Sequence, residues 1–280
     1  MQRSDNGWQQ RCLLLATGLL LATGLQAQET EPVHPAADLT VREIAGALFK
    51  AKPGETPDYS NLDLTYLDLS GLNFKGAKLA NSNLYGADFA DANMRGTDMS
   101  GTRLDRATLI RADFSGANLS GASILRPTIY TDLSESLADA PRFSGANLTG
   151  IRVMANMSGA DFHGADLTKA NFTPREQRPG QGTITTLAKN MLKSCNFSRA
   201  IMRDANFEHA VLTFSRFADA DLRGANLTHT DLSRADFTGA DMTGADLTGA
   251  DLDGATLLGV KGLETVKGLA TAVNFDKTIR

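Results

Sequence analysis

The stretch ADFTGADMTGADLTGADLDG, residues 235–254, repeats a five-residue unit four times. Each unit holds alanine, then aspartate, then a large apolar residue, then two small or polar residues. An amphipathic helix places apolar residues about 3.6 positions apart, and a half-buried strand places them about 2 apart. A period of five fits neither element. A fixed short period is typical of a solenoid, in which each unit buries its apolar residue by stacking on its neighbours.

The same unit extends outward from this stretch over most of the chain. Large apolar residues recur every five positions over 59–129, 143–153, 157–172 and 192–257. The repeat blurs over 130–142 and slips by one residue after Val153. It breaks again over 173–191, where two prolines and two glycines predict a protruding loop. We therefore interpret 58–257 as one solenoid domain with interruptions.

On these units the chain resembles the pentapeptide-repeat proteins, over about two thirds of its length. The resemblance implies an all-β fold, a right-handed quadrilateral β-helix with one pentapeptide on each side. In such a coil, alanine and the central apolar residue point inward, so that small and bulky groups fill the interior together. Aspartate or asparagine points outward, where its side chain can bond the backbone of the bend.

A short element is predicted at each end of the solenoid. Thr40 and Glu43 form a capping-box pattern at the start of a helix over 38–52, which we expect to cover the first coil. The apolar face of this helix is predicted to comprise Val41, Ile44, Ala45, Leu48 and Phe49. The tail over 258–280 carries apolar residues at three-residue spacing and predicts a helical C-terminal cap.

The first 27 residues are typical of a secretory signal peptide. Residues 12–25 are uncharged and leucine-rich, and Ala27 offers a small residue before the cut. The run is short for a membrane span, which needs roughly 20 apolar residues, although an uncleaved anchor is the alternative. We expect a flexible lead over 28–37, a periplasmic or secreted protein, and no stable membrane insertion after cleavage.

Charge and motifs exclude several classes of function. The formal net charge of −4 gives no basic footprint for nucleic acid. The sequence shows no phosphate-binding loop, nucleophile elbow or zinc-protease motif. Because the aspartates recur at one outward position in nearly every unit, they are poor evidence for catalysis. We predict a protein that is not an enzyme and needs no cofactor.

Two sets of residues depart from the repeat. His209 and His229 lie 20 residues apart, one coil in a four-sided solenoid, and with Glu208 they form a weak candidate metal site. Apolar residues also stand where the repeat faces solvent. The first apolar set is Met191, Ile201, Val211 and Phe214, and the second is Tyr85, Ile110, Leu125 and Tyr130, near Arg106 and Arg126.

The first apolar set has two interpretations: the loop at 173–191 covers it, or it binds a partner. The overall prediction is a non-catalytic exported scaffold or protein-interaction module. Its partner is predicted to be an envelope protein, a polysaccharide or a second copy of the chain.

Two other functions stay open. The resemblance implies a DNA-mimicking gyrase-binding protein as the main alternative, supported by the outward aspartates from Asp231 to Asp251 and by the loop. The export signal and the low net charge argue against it. A surface metal-binding protein is the lesser alternative.

Overall fold

The computed structural model describes residues 37–132, 134, 136–174 and 189–280, which belong to one compact unit. The predicted signal peptide at 1–27, nearly all of the lead and residues 175–188 of the predicted loop lie outside the described residues. Within the described ranges, no helix has the length and apolar character needed to cross a bilayer.

Parallel β-bridges between successive coils build the domain. Asp58 pairs with Lys78, which pairs with Asp98, so that bridges in the regular coils join residues 20 positions apart. Within one coil, bridge positions follow each other every five residues, as at Asp58 and Asp63. Because each bridge residue from Asp58 to Thr256 immediately precedes a buried apolar residue, the five-residue period of the sequence becomes the period of the β-helix.

Where a unit carries aspartate or asparagine before its buried apolar residue, that side chain commonly closes the bend that follows. Asp241 Oδ1 accepts a hydrogen bond of 3.0 Å from Thr243 N, and the Thr243 hydroxyl donates to the same oxygen at 2.6 Å. The next residue, Gly244, has φ +70°, a left-handed conformation that glycine adopts at no steric cost. Within each such unit, aspartate is therefore the hydrogen-bond acceptor and the apolar residue enters the core. Threonine is the donor and glycine forms the corner.

Stacked rings fill the interior. Equivalent phenylalanines of successive coils lie with centroids 4.7–5.2 Å apart and ring planes within 7° of parallel. This spacing is that of stacked strands, about 4.8 Å. The stack comprises Phe114, Phe143, Phe162, Phe197, Phe217 and Phe237.

The interruptions change the length of single coils without breaking the ladder. Asp113 pairs with Arg142, 29 positions on, so residues 130–141 form an excursion from one coil. The next coil is one residue short, since Arg142 pairs with Asp161, 19 positions on. Beside this slip, strand β1 (Ser123–Leu125) pairs in parallel with strand β2 (Arg152–Met154). The coil with the predicted loop is longer again, with Asn156 paired to Met191.

Helix α1 (Val41–Lys50) lies at the start of the β-helix. Thr40 and Glu43 form the capping box. Ile44 and Leu48 are buried in the core, and the Tyr59 hydroxyl donates to the Ile44 carbonyl at 3.4 Å. Phe49, predicted on the apolar face, is 87% exposed. The face is narrower than predicted, because a residue five positions after Ile44 lies about 140° away from it at 100° per residue.

The C-terminal tail differs from the predicted helical cap. It forms a further coil whose bridge positions, Lys261, Lys267, Val273 and Ile279, are six residues apart. Short 3₁₀ turns at Leu263–Thr265, Leu269–Thr271 and Phe275–Lys277 separate them. The three-residue apolar spacing is that of a 3₁₀ turn, and each turn ends where the chain rejoins the β-ladder.

Candidate functional site

Nearly all of the described corner positions, two residues after each buried apolar residue, have left-handed backbone, and glycine occupies about half of them. Two corner columns on one side of the β-helix carry large side chains instead. We name them the Tyr66 corner and the Phe214 corner. Glycines apart, the left-handed residues of the Tyr66 corner are Tyr66, Arg106, Arg126, His209 and His229, and those of the Phe214 corner are Asp91, Arg111, Ser194, Phe214 and Arg234.

The remaining corners follow the repeat more closely. One column is mainly Gly101, Gly121, Gly150, Gly224 and Gly244, and another is mainly Gly96, Gly116, Gly145, Gly164, Gly239 and Gly259. Their exceptions are Asn61, Asn81, Lys169, Arg199, Asp204 and Asp219, of which Lys169 and Arg199 have the longest side chains. A left-handed conformation costs an L-residue about 1–2 kcal/mol, and strain of this kind clusters at functional sites. The side with the Tyr66 and Phe214 corners is therefore the candidate functional surface.

Three residues of the first apolar set meet on this surface. Met191 and Val211 are bridge partners on the face between the two corners. Phe214 follows in the same coil, is 53% exposed and has the Arg234 guanidinium 5.4 Å from its ring centroid. Ile201 does not join them. Its bridges to Asp166 and Asp221 put it on another face, because it lies ten residues, half a coil, from Met191 and Val211.

The second apolar set is also divided. Tyr85 and Leu125 lie beside the Tyr66 corner and are half-buried. Ile110 is 9% exposed, so the prediction of an exposed apolar residue there is wrong. It lies next to Arg111, where the excursion rejoins the coil through the Arg111 N to Asp139 O bond. The Tyr130 hydroxyl donates to the Ser158 carbonyl at 2.9 Å and anchors the excursion.

His209 and His229 stack on each other. Their centroids are 5.1 Å apart and their planes differ by 11°. Glu208 Oε1 lies 3.7 Å from His209 Nε2. Imidazole lone pairs lie in the ring plane, so parallel rings do not direct them at one point. In the part of the chain that the structure describes, no group of three or more histidine, cysteine or acidic residues is placed to hold a metal.

An ion-pair cluster that the sequence pattern does not reveal holds the excursion. Arg111 binds Asp91 through Nε and Nη2, both at 2.7 Å, and Asp139 through Nη1 at 2.8 Å. Hydrogen bonds from Thr131, followed by Arg111, hold the pKa of Asp139 below its usual value. The one available signal is the 20-residue spacing of Asp91 and Arg111, since Asp139 lies where the repeat phase is lost.

Cys195 and the repeated aspartates form hydrogen bonds within the fold. Cys195 is buried with its Sγ 3.2 Å from the Met157 carbonyl, and burial raises the pKa of the thiol to about 12. Hydrogen bonds from the Thr243 and Thr248 side chains lower the pKa values of Asp241 and Asp246. These aspartates act as acceptors within their own bends.

A family model described as pentapeptide repeats matches the chain in 8 copies, over residues 60–96, 87–124, 155–173, 192–228 and 220–259. No curated protein matches the chain in sequence.

Among solved structures, the chain is similar to HetL, a pentapeptide repeat protein involved in heterocyst differentiation regulation in the cyanobacterium Nostoc sp. strain PCC 7120. The identity is 21%, over 86% of this chain and 94% of HetL, with a TM-score of 0.35. It is also similar to QnrB1, a plasmid-mediated fluoroquinolone resistance protein, at 20% identity over 71% and 91% of the two chains and a TM-score of 0.30. Rfr23 of the cyanobacterium Cyanothece 51142 is 24% identical over 44% of this chain and 90% of its own, with a TM-score of 0.24.

Proposed function

This chain belongs to the pentapeptide-repeat family, and from that premise we propose that it is an exported, non-catalytic scaffold that binds protein partners. The observation that carries the proposal is the concentration of large left-handed residues on the Tyr66 and Phe214 corners. Apart from Arg111, whose ion pairs hold the excursion, glycine would fit these positions with less backbone strain. Side chains that cost stability and face solvent are expected to have a binding role.

The finer architecture belongs to the same proposal. We infer a right-handed, quadrilateral coil, supported by bridge positions every five residues in coils of 20. Helix α1 caps the first coil, supported by the burial of Ile44 and Leu48 beside Tyr59. The coil after Leu257, whose bridge positions are six residues apart, stacks on the coil before it.

Met191, Val211 and Phe214 form the contact surface that we propose for a protein partner. An exposed aromatic residue next to apolar neighbours and an arginine has the composition of interface hot spots. The carboxylates argue against a catalytic role, since those of the repeat serve as acceptors in the bends. The partner is an envelope protein or a second copy of the chain.

Site-specific photo-cross-linking tests this surface. A photoreactive residue at Phe214 is expected to give a defined cross-linked product in cells. Asp219 provides the matched control, because it is an exposed left-handed residue, φ +57°, on a different corner. Equal yields at the two positions, or no product at Phe214, would contradict the proposal. The mass of the product distinguishes a second copy from another protein.

Export is a separate part of the proposal, supported by the apolar run at 12–25 and by Ala27. Cell fractionation with N-terminal sequencing is expected to recover a periplasmic or secreted species that begins at Gln28. A full-length cytoplasmic species would reverse this expectation.

The cytoplasmic result would direct attention to the gyrase-binding alternative. The acidic surface that this alternative needs is partly neutralised. Arg223 pairs with Asp221 at 2.8 Å and lies 3.9 Å from Asp241, and Lys261 continues the same column. A DNA supercoiling assay would measure any effect on gyrase directly.

A further inference from the structure

Four arginines surround the part of the Tyr66 corner that lies in the first coils. Arg106 and Arg126 occupy the corner, and Arg103 and Arg152 lie on the adjoining face, joined through the bridges of Ser123. Among the residues that the structure describes, Arg103 alone of the four has an ion pair, with Asp105. Three of the four guanidinium groups therefore have no ion pair among the described residues, in a chain whose formal net charge is −4.

Arg106 and Arg126 occupy successive positions of the Tyr66 corner. The Arg106 N–H donates to the carbonyl of Leu125, so the corner of Arg126 lies one coil, about 4.8 Å, away. Two like charges held this close would repel by at most about 1 kcal/mol in water, and exposed side chains lower this by diverging. Both residues also have left-handed backbone, φ +58° and +54°. Glycine holds the same column at Gly86 and Gly249, so the fold itself does not require arginine here.

The neighbouring aromatic and ionic groups are already ordered. The Arg103 guanidinium lies 4.5 Å from the Tyr85 ring centroid, and Tyr66 meets Tyr85 edge-on at 5.5 Å. Asp105, 9% exposed, fixes Arg103 through a 2.9 Å bond to its Nε. Ser123 Oγ in turn donates to Asp105 at 2.9 Å. A ligand would meet a surface whose side chains are held in place, which lowers the entropy cost of binding.

The extent of the basic surface limits the size of its ligand. Three coil steps separate Tyr66 from Arg126, roughly 14 Å at about 4.8 Å per step. An extended peptide covers this length with about four residues at about 3.3 Å each. Asp63, Asp68 and Asp88 border the aromatic end, since they occupy the bridge positions around it. A long, uniformly charged polyanion would meet repulsion from these carboxylates, whereas a short acidic segment would not.

We propose that the surface formed by Tyr85, Arg103, Arg106, Arg126 and Arg152 binds a short acidic segment of a partner protein. An apolar or aromatic residue of the segment contacts Tyr85, and carboxylates contact Arg106 and Arg126. This inference rests on the proposed interaction role and names the chemical class of the partner.

Fluorescence anisotropy with a fluorescein-labelled peptide, one phenylalanine followed by a short run of glutamates, tests the proposal. At low ionic strength the full chain is expected to bind this peptide and not its glutamine counterpart, because screening is weak there. The double variant Arg106→Glu and Arg126→Glu is expected to weaken binding at least about tenfold, equivalent to about 1.4 kcal/mol.

Lys169→Glu with Arg199→Glu is the matched control. It makes the same change of charge at left-handed positions, φ +57° and +58°, on other corners. We expect it to weaken binding less than about twofold, a difference of about 0.4 kcal/mol. An equal loss in the two double variants would overturn the proposal. So would binding of heparin, but not of the peptide, to the wild-type chain.

Thermal melting checks that each variant is folded. If the double charge reversal prevents folding, Arg106→Gly with Arg126→Gly replaces it, because these corners accept glycine elsewhere in the column. Failure of peptide binding leaves cross-linking at Phe214 unaffected, so the acidic-segment proposal and the interaction role can fail separately.

Discussion

Asn190 occupies a position that alanine holds in most units, and its side chain replaces hydrogen bonds that the chain loses at the interruption before it. The residue is fully buried at 0% exposure. Its Oδ1 accepts from Ala155 N at 2.7 Å, and its Nδ2 donates to the carbonyls of Val153, at 3.2 Å, and Phe172, at 2.5 Å. One amide thus satisfies three main-chain groups from two neighbouring coils.

Asn190→Ala is expected to lower the free energy of unfolding by at least about 3 kcal/mol, because three buried main-chain groups lose their partner and each costs about 1–3 kcal/mol. The repeat pattern alone predicts the opposite, since alanine is the usual residue. Urea denaturation measures the change. Asn226→Ala is the control. It removes a hydrogen bond to Thr228 N in a half-buried bend and should cost less than about 1 kcal/mol.

Arg126→Gly is expected to raise the free energy of unfolding by about 0.5–1.5 kcal/mol. The substitution removes left-handed strain and the repulsion from Arg106 one coil away. Arg216→Gly, at a bridge position, is expected to destabilise by about 0.5–1 kcal/mol, because glycine weakens extended backbone. If Arg126→Gly were also destabilising in urea denaturation, the arginine would be a structural residue, not one retained for binding.

At the scale of single elements, the last coil depends on close backbone packing. Gly268 has φ +75° and immediately precedes the 3₁₀ turn at Leu269–Thr271. A Cβ atom at Gly268 would collide with the main-chain N and Cα of Thr248. Since Lys267 pairs with Asp246 beside this contact, a shift at Gly268 must disturb the ladder.

Gly268→Ala is expected to release the last coil from the β-helix, because backbone atoms cannot rotate away from the added methyl group. Hydrogen exchange should show protection lost over 261–280 while the preceding coils stay protected. Gly244→Ala is the matched control, with φ +70° and no atom within 4 Å of the added carbon. It should cost only the left-handed strain of about 1 kcal/mol. Full protection of the last coil in Gly268→Ala would show that the coil adapts.

Helix α1 offers a second test at this scale. Ile44→Ala removes a side chain with 0% exposure that packs in the core, and is expected to cost about 2–5 kcal/mol. Phe49→Ala changes a larger side chain on the same helix, 87% exposed, and should stay within about 0.5 kcal/mol of wild type. Equal effects in urea denaturation would mean that the helix does not hold the first coil through its buried face.

At the scale of the whole molecule, the five-residue period predicts which residues are inside. The central apolar residues from Leu64 to Leu252 are buried as expected. Each five-residue unit forms one bridge, and this fixes which of its residues point inward. The one-residue slip after Val153 is also visible in both sequence and structure.

Contacts that depend on the insertions into the repeat could not be predicted from the sequence. The contact between Arg111 and Asp139 arises because the excursion folds back onto an earlier coil, and no repeat phase connects these residues. Ile201 and Met191 are close in sequence but lie half a coil apart, since adjacency across a solenoid follows steps of a whole coil. The candidate surface can be identified only once the pairing between coils shows which corner residues lie in the same column.

The repeated aspartates make the stability of the whole fold depend on pH. Hydrogen bonds from Thr243 and Thr248 lower the pKa values of Asp241 and Asp246, and Arg223, together with Arg203, lowers that of Asp221 to about 2. In the unfolded chain these carboxyls have pKa values of about 3.9. Below that pH the unfolded state binds more protons, so the stabilisation is present above pH ~4 and is lost as the pH falls towards ~2.

The urea midpoint is therefore expected to be nearly constant from pH 7 to about 5 and to fall steeply below about 4. The double variant Asp241→Asn and Asp246→Asn separates this linkage from other effects of acid. Asparagine does not titrate but keeps the Oδ1 acceptor of the bend. Asn226 shows this, because its Oδ1 accepts a hydrogen bond of 3.0 Å from Thr228 N. The variant should fold at pH 7 and lose less of its urea midpoint between pH 5 and about 3 than the wild type. An identical fall in both proteins would assign the acid sensitivity to groups outside the repeated bends.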